Sequence, residues 1–312
     1  MIDTVSKSEI KRILANYPIG GIKRIQRLGM GQMNLSYKIS TAKGKYVIRI
    51  NRHRSRSEIE YELDFLKKLW SRKLPVQKII YMKNGDRIFK FKQCWGCVFK
   101  YIEGSHPTAI TSNRLIQIGE FLGSAHSASE NFRPTGKRES QDLPEIRKRF
   151  QAYKISILKS DLPDKEKFIK EFQKDMKEVR LPNSLPRGPI HCDVKPENVL
   201  FLKNSLSGVI DFDYCFEGPF IMDLMKTVVW WCFENNALDT EKYDALMNGY
   251  TKARKLNEFE EAYLNDALKY AFLQHIWRDL FLYSKGDLRW EFPRTVIFDM
   301  YKSYENWKNR YG

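Results

Sequence analysis

No stretch of this chain is long and apolar enough to cross a bilayer. The greasiest run, Val228–Phe233, lies between Lys226 and Glu234, far short of the roughly 20 apolar residues that a spanning helix needs. This argues against membrane insertion. The opening residues MIDTVSKSEIKRIL lack the apolar centre of a secretory leader. Cysteine is scarce and odd in number: Cys94, Cys97, Cys192, Cys215 and Cys232 are the five among 312 residues. That count argues against a disulfide framework and for a reducing compartment, so the expected location is the cytoplasm. Cys94 and Cys97 make one CxxC pair, but neither a second pair nor two suitably spaced histidines accompanies it, so a zinc site is not expected. Internal repeats and low-complexity linkers are missing as well.

Core-forming residues are plentiful, with 42% hydrophobic and 13% aromatic residues, which excludes a disordered chain. The net charge of +16 is unevenly spread: positions 1–100 hold 23 basic against 7 acidic residues, and the remainder holds 31 against 31. A basic first third suits an anion, such as nucleotide phosphate or an acidic partner, and equally suits a solvated surface. It carries no nucleic-acid motif and no dense basic patch, which argues against a nucleic-acid partner.

Ser6–Asn16 has the spacing of a short helix, ended by Pro18, Gly20 and Gly21. Ile22–Ile50 alternates and turns as three antiparallel strands. Arg56–Trp70 places Ile59, Leu63, Leu66 and Leu69 on one helix face. β-rich runs follow around Val76–Met82 and Arg87–Tyr101. Helical patterns then cover Asn113–Glu130, Leu143–Leu158 and Asp164–Val179, before short apolar runs at Asn198–Leu202 and Leu206–Ile210 and further helices to the end.

His191–Leu200, HCDVKPENVL, and Gly208–Phe212, GVIDF, carry the most chemistry. Asp193 and Asn198 stand five apart, and Asp211 follows Asp193 by 18 residues. Moving a phosphoryl group needs a carboxylate beside the attacking hydroxyl and oxygen ligands that hold Mg²⁺ against the phosphates. A loop with Asp193 and Asn198, then a hairpin ending at Asp211, lets such groups converge. Three acidic or amide residues alone say little; HxDxxxxN, then apolar strands, then IDF rarely arises by chance.

HCDVKPENVL with VIDFDYCFEGPFIMDL resembles the aminoglycoside phosphotransferase and choline kinase family, distant relatives of protein kinases, and the likeness runs over nearly the whole chain. The resemblance implies an α+β, bilobal protein-kinase-like fold, with a small β-rich nucleotide lobe over residues 1–102 and a larger helical lobe over 103–312. It implies a kinase that moves the γ-phosphate of ATP, with Mg²⁺, to a hydroxyl of a small molecule. In that scheme Asp193 is the catalytic base, His191 braces the catalytic loop, and Lys195 shares the loop. Asn198 and Asp211 are the Mg²⁺ ligands, with Asp213 assisting. The GPxxxDL stretch, Gly218, Pro219 and Asp223, also matches the family, where the aspartate supports the catalytic loop; the same residue would stabilise a helix N-terminus. Gly29, Gly31 and Asn34 would form the turn that approaches the phosphates, a reading that rests on their place before KYVIRI. Arg49 stands where protein kinases have lysine, and Glu62 would orient it, with Glu58 and Glu60 as alternatives. Tyr101 and Ile102, in YIEG, would contact the adenine through their backbone. His126 matches a position often histidine in relatives and reads otherwise as a core histidine.

Lys195 and KPEN follow the wording of Ser/Thr protein kinases. Against a protein substrate, no APE-like motif follows Asp211, and GPFIMDL begins almost at once. The acceptor is left open among an amino alcohol, homoserine, a sugar and an aminoglycoside. Trp230, Trp231, Trp277 and Trp290, with Asp279 and Glu291 near them in sequence, suit an ammonium group, or else pack the core. A kinase fold kept as a binding or structural module, like spore-coat relatives, is the alternative class; the presence of Asp193, Asn198 and Asp211 counts against it.

Overall fold

The computed structural model describes residues 4–29, 34–160, 164–284 and 291–311. The first hundred residues form α1 (Lys7–Leu14), β1 (Ile22–Leu28), β2 (Asn34–Thr41), β3 (Gly44–Asn51), α2 (Arg56–Ser71), β4 (Ile79–Ile80), β5 (Phe89–Phe91) and β6 (Cys94–Lys100). Then come α3 (Ser112–Ser129), α4 (Leu143–Leu158), α5 (Lys165–Glu178), β7 (Arg187–Ile190), β8 (Val199–Leu202), β9 (Ser205–Val209) and β10 (Phe216–Pro219). The chain ends with α6 (Phe220–Trp231), β11 (Phe233–Glu234), β12 (Ala237–Leu238), α7 (Thr240–Ala253), α8 (Glu258–Ala262), α9 (Leu264–Ser284) and α10 (Glu291–Tyr311). Single 3₁₀ turns cover Pro196–Asn198 and Phe212–Tyr214.

The chain divides into two compact units. One comprises Met1–His106, Phe132–Arg138 and Val199–Asp213; the other comprises Pro107–Asn131, Glu139–Asn198 and Tyr214–Gly312. The first is built on an antiparallel sheet in the order β1-β2-β3-β6-β4, with β5 also on β6. Strand β2 shows why: Leu35, Tyr37 and Ile39 point into a core shared with Ile10, Ile13 and Leu14 of α1, while the residues between them are only partly covered, the period-2 pattern of a one-sided strand. Helix α2 is capped by Ser55, whose hydroxyl accepts from the Glu58 amide, and it buries Ile59, Leu63, Phe65, Leu66 and Leu69.

The second unit is mainly helical. Its α3 and α7 meet at glycine, for a Cβ on Gly249 would lie 2.1 Å from the Ile116 carbonyl and one on Gly119 would lie 2.2 Å from that of Leu246. One expected β-rich run resolves into a hairpin, and one element departs from the sequence pattern. The run at 87–101 is a tight hairpin, because Lys92 turns in left-handed backbone at φ 54° and Phe91 pairs with Cys94. A second hairpin, β11–β12, replaces expected helix where Asn235 and Asn236 both take positive φ (50° and 61°), the geometry that asparagine tolerates in two-residue turns. Among the described residues no helix is long and apolar enough to cross a membrane.

Candidate active site

The helical unit holds the loop of Asp193. Asp223 anchors it from α6: its two carboxylate oxygens accept from the amides of His191 and Cys192, each at 2.8 Å. Oδ2 also faces His126 Nε2 at 3.1 Å, and the other ring nitrogen of His126 meets Tyr250 Oη at 2.9 Å. Asp223 is 1% exposed. Burial pushes its carboxyl up, but His126 and the loop amides outweigh that and hold it below the usual range. Further along, Trp231 Nε1 donates to the Val194 carbonyl at 2.7 Å, and the Asp193 amide donates to His191 Nδ1 at 3.1 Å.

The result is a fixed position for Asp193. Asn198 Nδ2 donates to the Asp193 carbonyl at 2.9 Å and to its Oδ2 at 3.1 Å, and Lys195 Nζ lies 3.4 Å from the same oxygen. Cys192, just before it, is held in left-handed backbone at φ 63°, a conformation that non-glycine residues adopt only when their surroundings impose it. Lys195 also sits over the ring of Trp230, 5.5 Å from its centroid.

The sheet unit holds the second cluster. Register pairs Arg49 of β3 with Cys97 of β6, and Arg49 Nη2 donates to both oxygens of Glu62 at 2.6 Å. The pair is buried, with side-chain exposures of 6% and 0%. Burial disfavours the charged guanidinium, but Glu62 and its neighbours outweigh this and raise its pKa further. Arg49 Nη1 stands 4.0 Å from Asp211 Oδ1, whose side chain is 46% exposed. Asp211, like Cys192, takes left-handed backbone, at φ 64°.

Glu58 and Glu60, the alternatives to Glu62, pair instead with Arg54 and Arg56. Asp213 is 2% exposed and committed to Arg54, whose Nε and Nη2 each lie 3.3 Å from its carboxylate. In the YIEG segment the Tyr101 amide donates to the Lys45 carbonyl at 3.1 Å, and Lys38 Nζ lies 3.7 Å from the Tyr101 ring centroid. Ile102 packs on Gly208, where a Cβ would come within 2.6 Å of its Cδ1. Gly29 turns at φ 53° and Asn34 opens β2, while Gly31 lies outside the described residues.

Of the tryptophans, Trp231 and Trp277 are fully buried core, Trp230 is partly exposed, and Trp290 lies outside the described residues. Asp279, 5% exposed, faces His275 Nε2 at 3.3 Å. Sequence reasoning passed over Lys226, which is 2% exposed and donates to Gln274 Oε1 at 2.6 Å. Burial pushes its pKa down to about 8. It also passed over Arg54 and Arg138, which no local pattern distinguishes from other surface arginines.

Among the described residues no three or more His, Cys, Asp or Glu side chains form a ready metal cage. Mg²⁺ takes one or two protein oxygens and completes its shell with water and nucleotide phosphates; the partly exposed Asp211 carboxylate and the side-chain oxygen of Asn198 are donors of a kind that suits it.

Residues 24–264 match the model of the phosphotransferase enzyme family. A homoserine kinase of Brucella canis is 27% identical over 259 residues, covering 82% of this chain and 78% of the relative. An amicoumacin kinase solved with AMP-PNP and Ca²⁺ superposes with a TM-score of 0.72 at 17% identity, over 97% of this chain and 94% of that one. A microcompartment-associated aminopropanol kinase gives 0.68 at 19% identity, over 97% and 98%. At these identities the solved structures speak for the fold, which is protein-kinase-like, and the family match speaks for the chemistry. The chain belongs to the phosphotransferase enzyme family, and it is an ATP-dependent kinase of a small-molecule hydroxyl.

Proposed function

We propose that the chain phosphorylates a small hydroxy compound that carries an ammonium group, homoserine first, with Asp193 as the general base. The observation that carries the assignment of the base is the position of Asp193: its carboxylate is 5% exposed, on a loop fixed by Asp223, and Asn198 and Lys195 both address Oδ2. The acceptor hydroxyl gives its proton to this carboxylate as its oxygen bonds to the γ-phosphorus and the bond from that phosphorus to the β–γ bridging oxygen breaks, releasing ADP. Lys195 places positive charge beside the base. Arg49, aimed by Glu62, holds phosphate oxygens as a fixed cation. Asn198 and Asp211 would hold Mg²⁺, which would supply charge neutralisation on the phosphates when bound with the nucleotide. Asp213 acts through Arg54 rather than on the metal.

The homoserine reading is supported by the relative that spans 82% of the chain. A protein acceptor is disfavoured because α6 begins at Phe220, only nine residues after Asp211, which leaves no activation loop. The five free cysteines support a reducing, cytoplasmic setting.

The test is ATP consumption with Mg²⁺ over homoserine, aminopropanol, ethanolamine, choline, a sugar, an aminoglycoside and a generic protein. Turnover with homoserine or an amino alcohol, and a phosphorylated product by mass, is expected. Turnover with the protein alone, or with the sugar alone, would overturn the acceptor class.

A further inference from the structure

The segment Phe132–Arg138 follows α3 in sequence yet belongs to the compact unit of the sheet. It is laced to α2. The Lys137 amide donates to Ser57 Oγ at 2.9 Å, and the amide and hydroxyl of Thr135 donate to Asp64 Oδ2 at 2.8 and 2.5 Å. Arg87 holds the other oxygen of that carboxylate at 2.5 Å. Gly136 lies against the helix backbone itself: a Cβ there would stand 2.2 Å from the Ser57 carbonyl oxygen and 2.3 Å from the Tyr61 nitrogen. Any other side chain would force the segment away from the helix.

Arg138 ends the segment and spans two elements. Its Nη2 donates to the Glu58 carbonyl of α2 at 3.0 Å, and its Nη1 donates to the carbonyls of Phe212, at 3.4 Å, and Asp213. Arg54 repeats the link, with Nη1 on Glu58 Oε1 at 3.0 Å and Nη2 on the Asp213 carbonyl at 2.9 Å. Phe65 of α2 packs edge-on against Phe212, with centroids 5.5 Å apart. Helix α2 therefore carries Glu62, the partner of Arg49, and is tied by two guanidinium groups, those of Arg138 and Arg54, to the residues that follow Asp211.

In protein kinases the helix glutamate and the metal-binding aspartate must both be in place, and regulated members control their alignment. We propose that the strap Phe132–Arg138 is a built-in positioning device: Gly136 and Arg138 set α2 and the Asp211 backbone in one register, so the site is assembled without a modification step. Arg138 is on this account a positioning residue, acting on the metal through Asp211. The inference rests on the reading of Asp211 as a Mg²⁺ ligand.

Arg138→Ala and Arg138→Lys in the full chain, assayed over a Mg²⁺ titration, test it. Lysine keeps the charge but has one nitrogen in place of the two that Arg138 sets on different elements, so both variants should raise the half-saturating Mg²⁺ about tenfold and lower kcat about 10–100-fold, the scale of a small misplacement. The acceptor KM should not move. A merely structural role would lower the unfolding midpoint and leave the Mg²⁺ midpoint alone, and that result, in whichever variant folds, overturns the proposal. Asp211→Asn separates the two failures. If it retains turnover with normal Mg²⁺ dependence, the reading of the site fails; if it is inert while the Arg138 variants behave normally, only the strap proposal fails.

Discussion

Replacing Asp223 by alanine removes the acceptor on which three buried groups converge. Two are backbone amides at 2.8 Å, from His191 and Cys192, and the third is His126 Nε2 at 3.1 Å. Each buried donor left without a partner costs about 1–3 kcal/mol, so the variant should lose roughly 3–5 kcal/mol, allowing for partial relaxation. Asparagine keeps one acceptor oxygen but points an amide at other donors, and should lose roughly half of that. The catalytic consequence is separate. With its anchor gone, the loop no longer fixes Asp193, and a shift of about 1 Å should lower kcat about 100-fold. The assay is urea unfolding followed by tryptophan fluorescence, beside steady-state turnover of the folded variant. An Asp223→Ala protein whose stability lies within about 1 kcal/mol of the parent, with unchanged kcat, would refute the view that this carboxylate holds the loop.

Arg49→Met strands Glu62, whose side chain is 0% exposed, and should cost about 3–5 kcal/mol. Arg49→Met with Glu62→Leu should recover much of the stability and none of the turnover, which urea midpoints and ATP consumption will show. Stability should also fall on mild acidification. Burial holds His126 and His275 below their usual pKa of 6.5, outweighing the pull of Asp223 and Asp279, so below that pH the unfolded chain takes up protons that the folded chain refuses. The loss is about 1.4 kcal/mol per histidine for each pH unit, until the depressed folded pKa is reached. Urea midpoints at pH 7.5 and 5.5 measure it, and equal midpoints would contradict the burial argument.

The parts of the fold that were legible in the sequence are those set by local pattern. Helix α4 was expected over Leu143–Leu158 and occupies those residues, because its apolar spacing is interrupted at both ends. The hairpin β8–β9 was visible as two short apolar runs between HCDVKPEN and IDF. What could not be read depends on contacts distant in sequence. Arg138 looks like any surface arginine, and only the structure places it against Glu58, 80 residues earlier. The family resemblance makes Asp213 a helper of the metal, and its ion pair with Arg54, 159 residues away, is a contact that no local pattern announces. Lys226 was visible only as the charge that ends an apolar run; its burial follows from Gln274 of α9. The Asn235-Asn236 turn, by contrast, carried a usable signal in its two residues, masked by the helical patterns on either side.

Asp193→Asn is the most direct test of the assignment of the base. The substitution keeps the size of the side chain and its acceptor oxygen but not the basic carboxylate, so turnover on the best acceptor should fall by several orders of magnitude, while urea stability and AMP-PNP binding stay near those of the parent. A well-folded Asp193→Asn protein that turns over at the parental rate would contradict it.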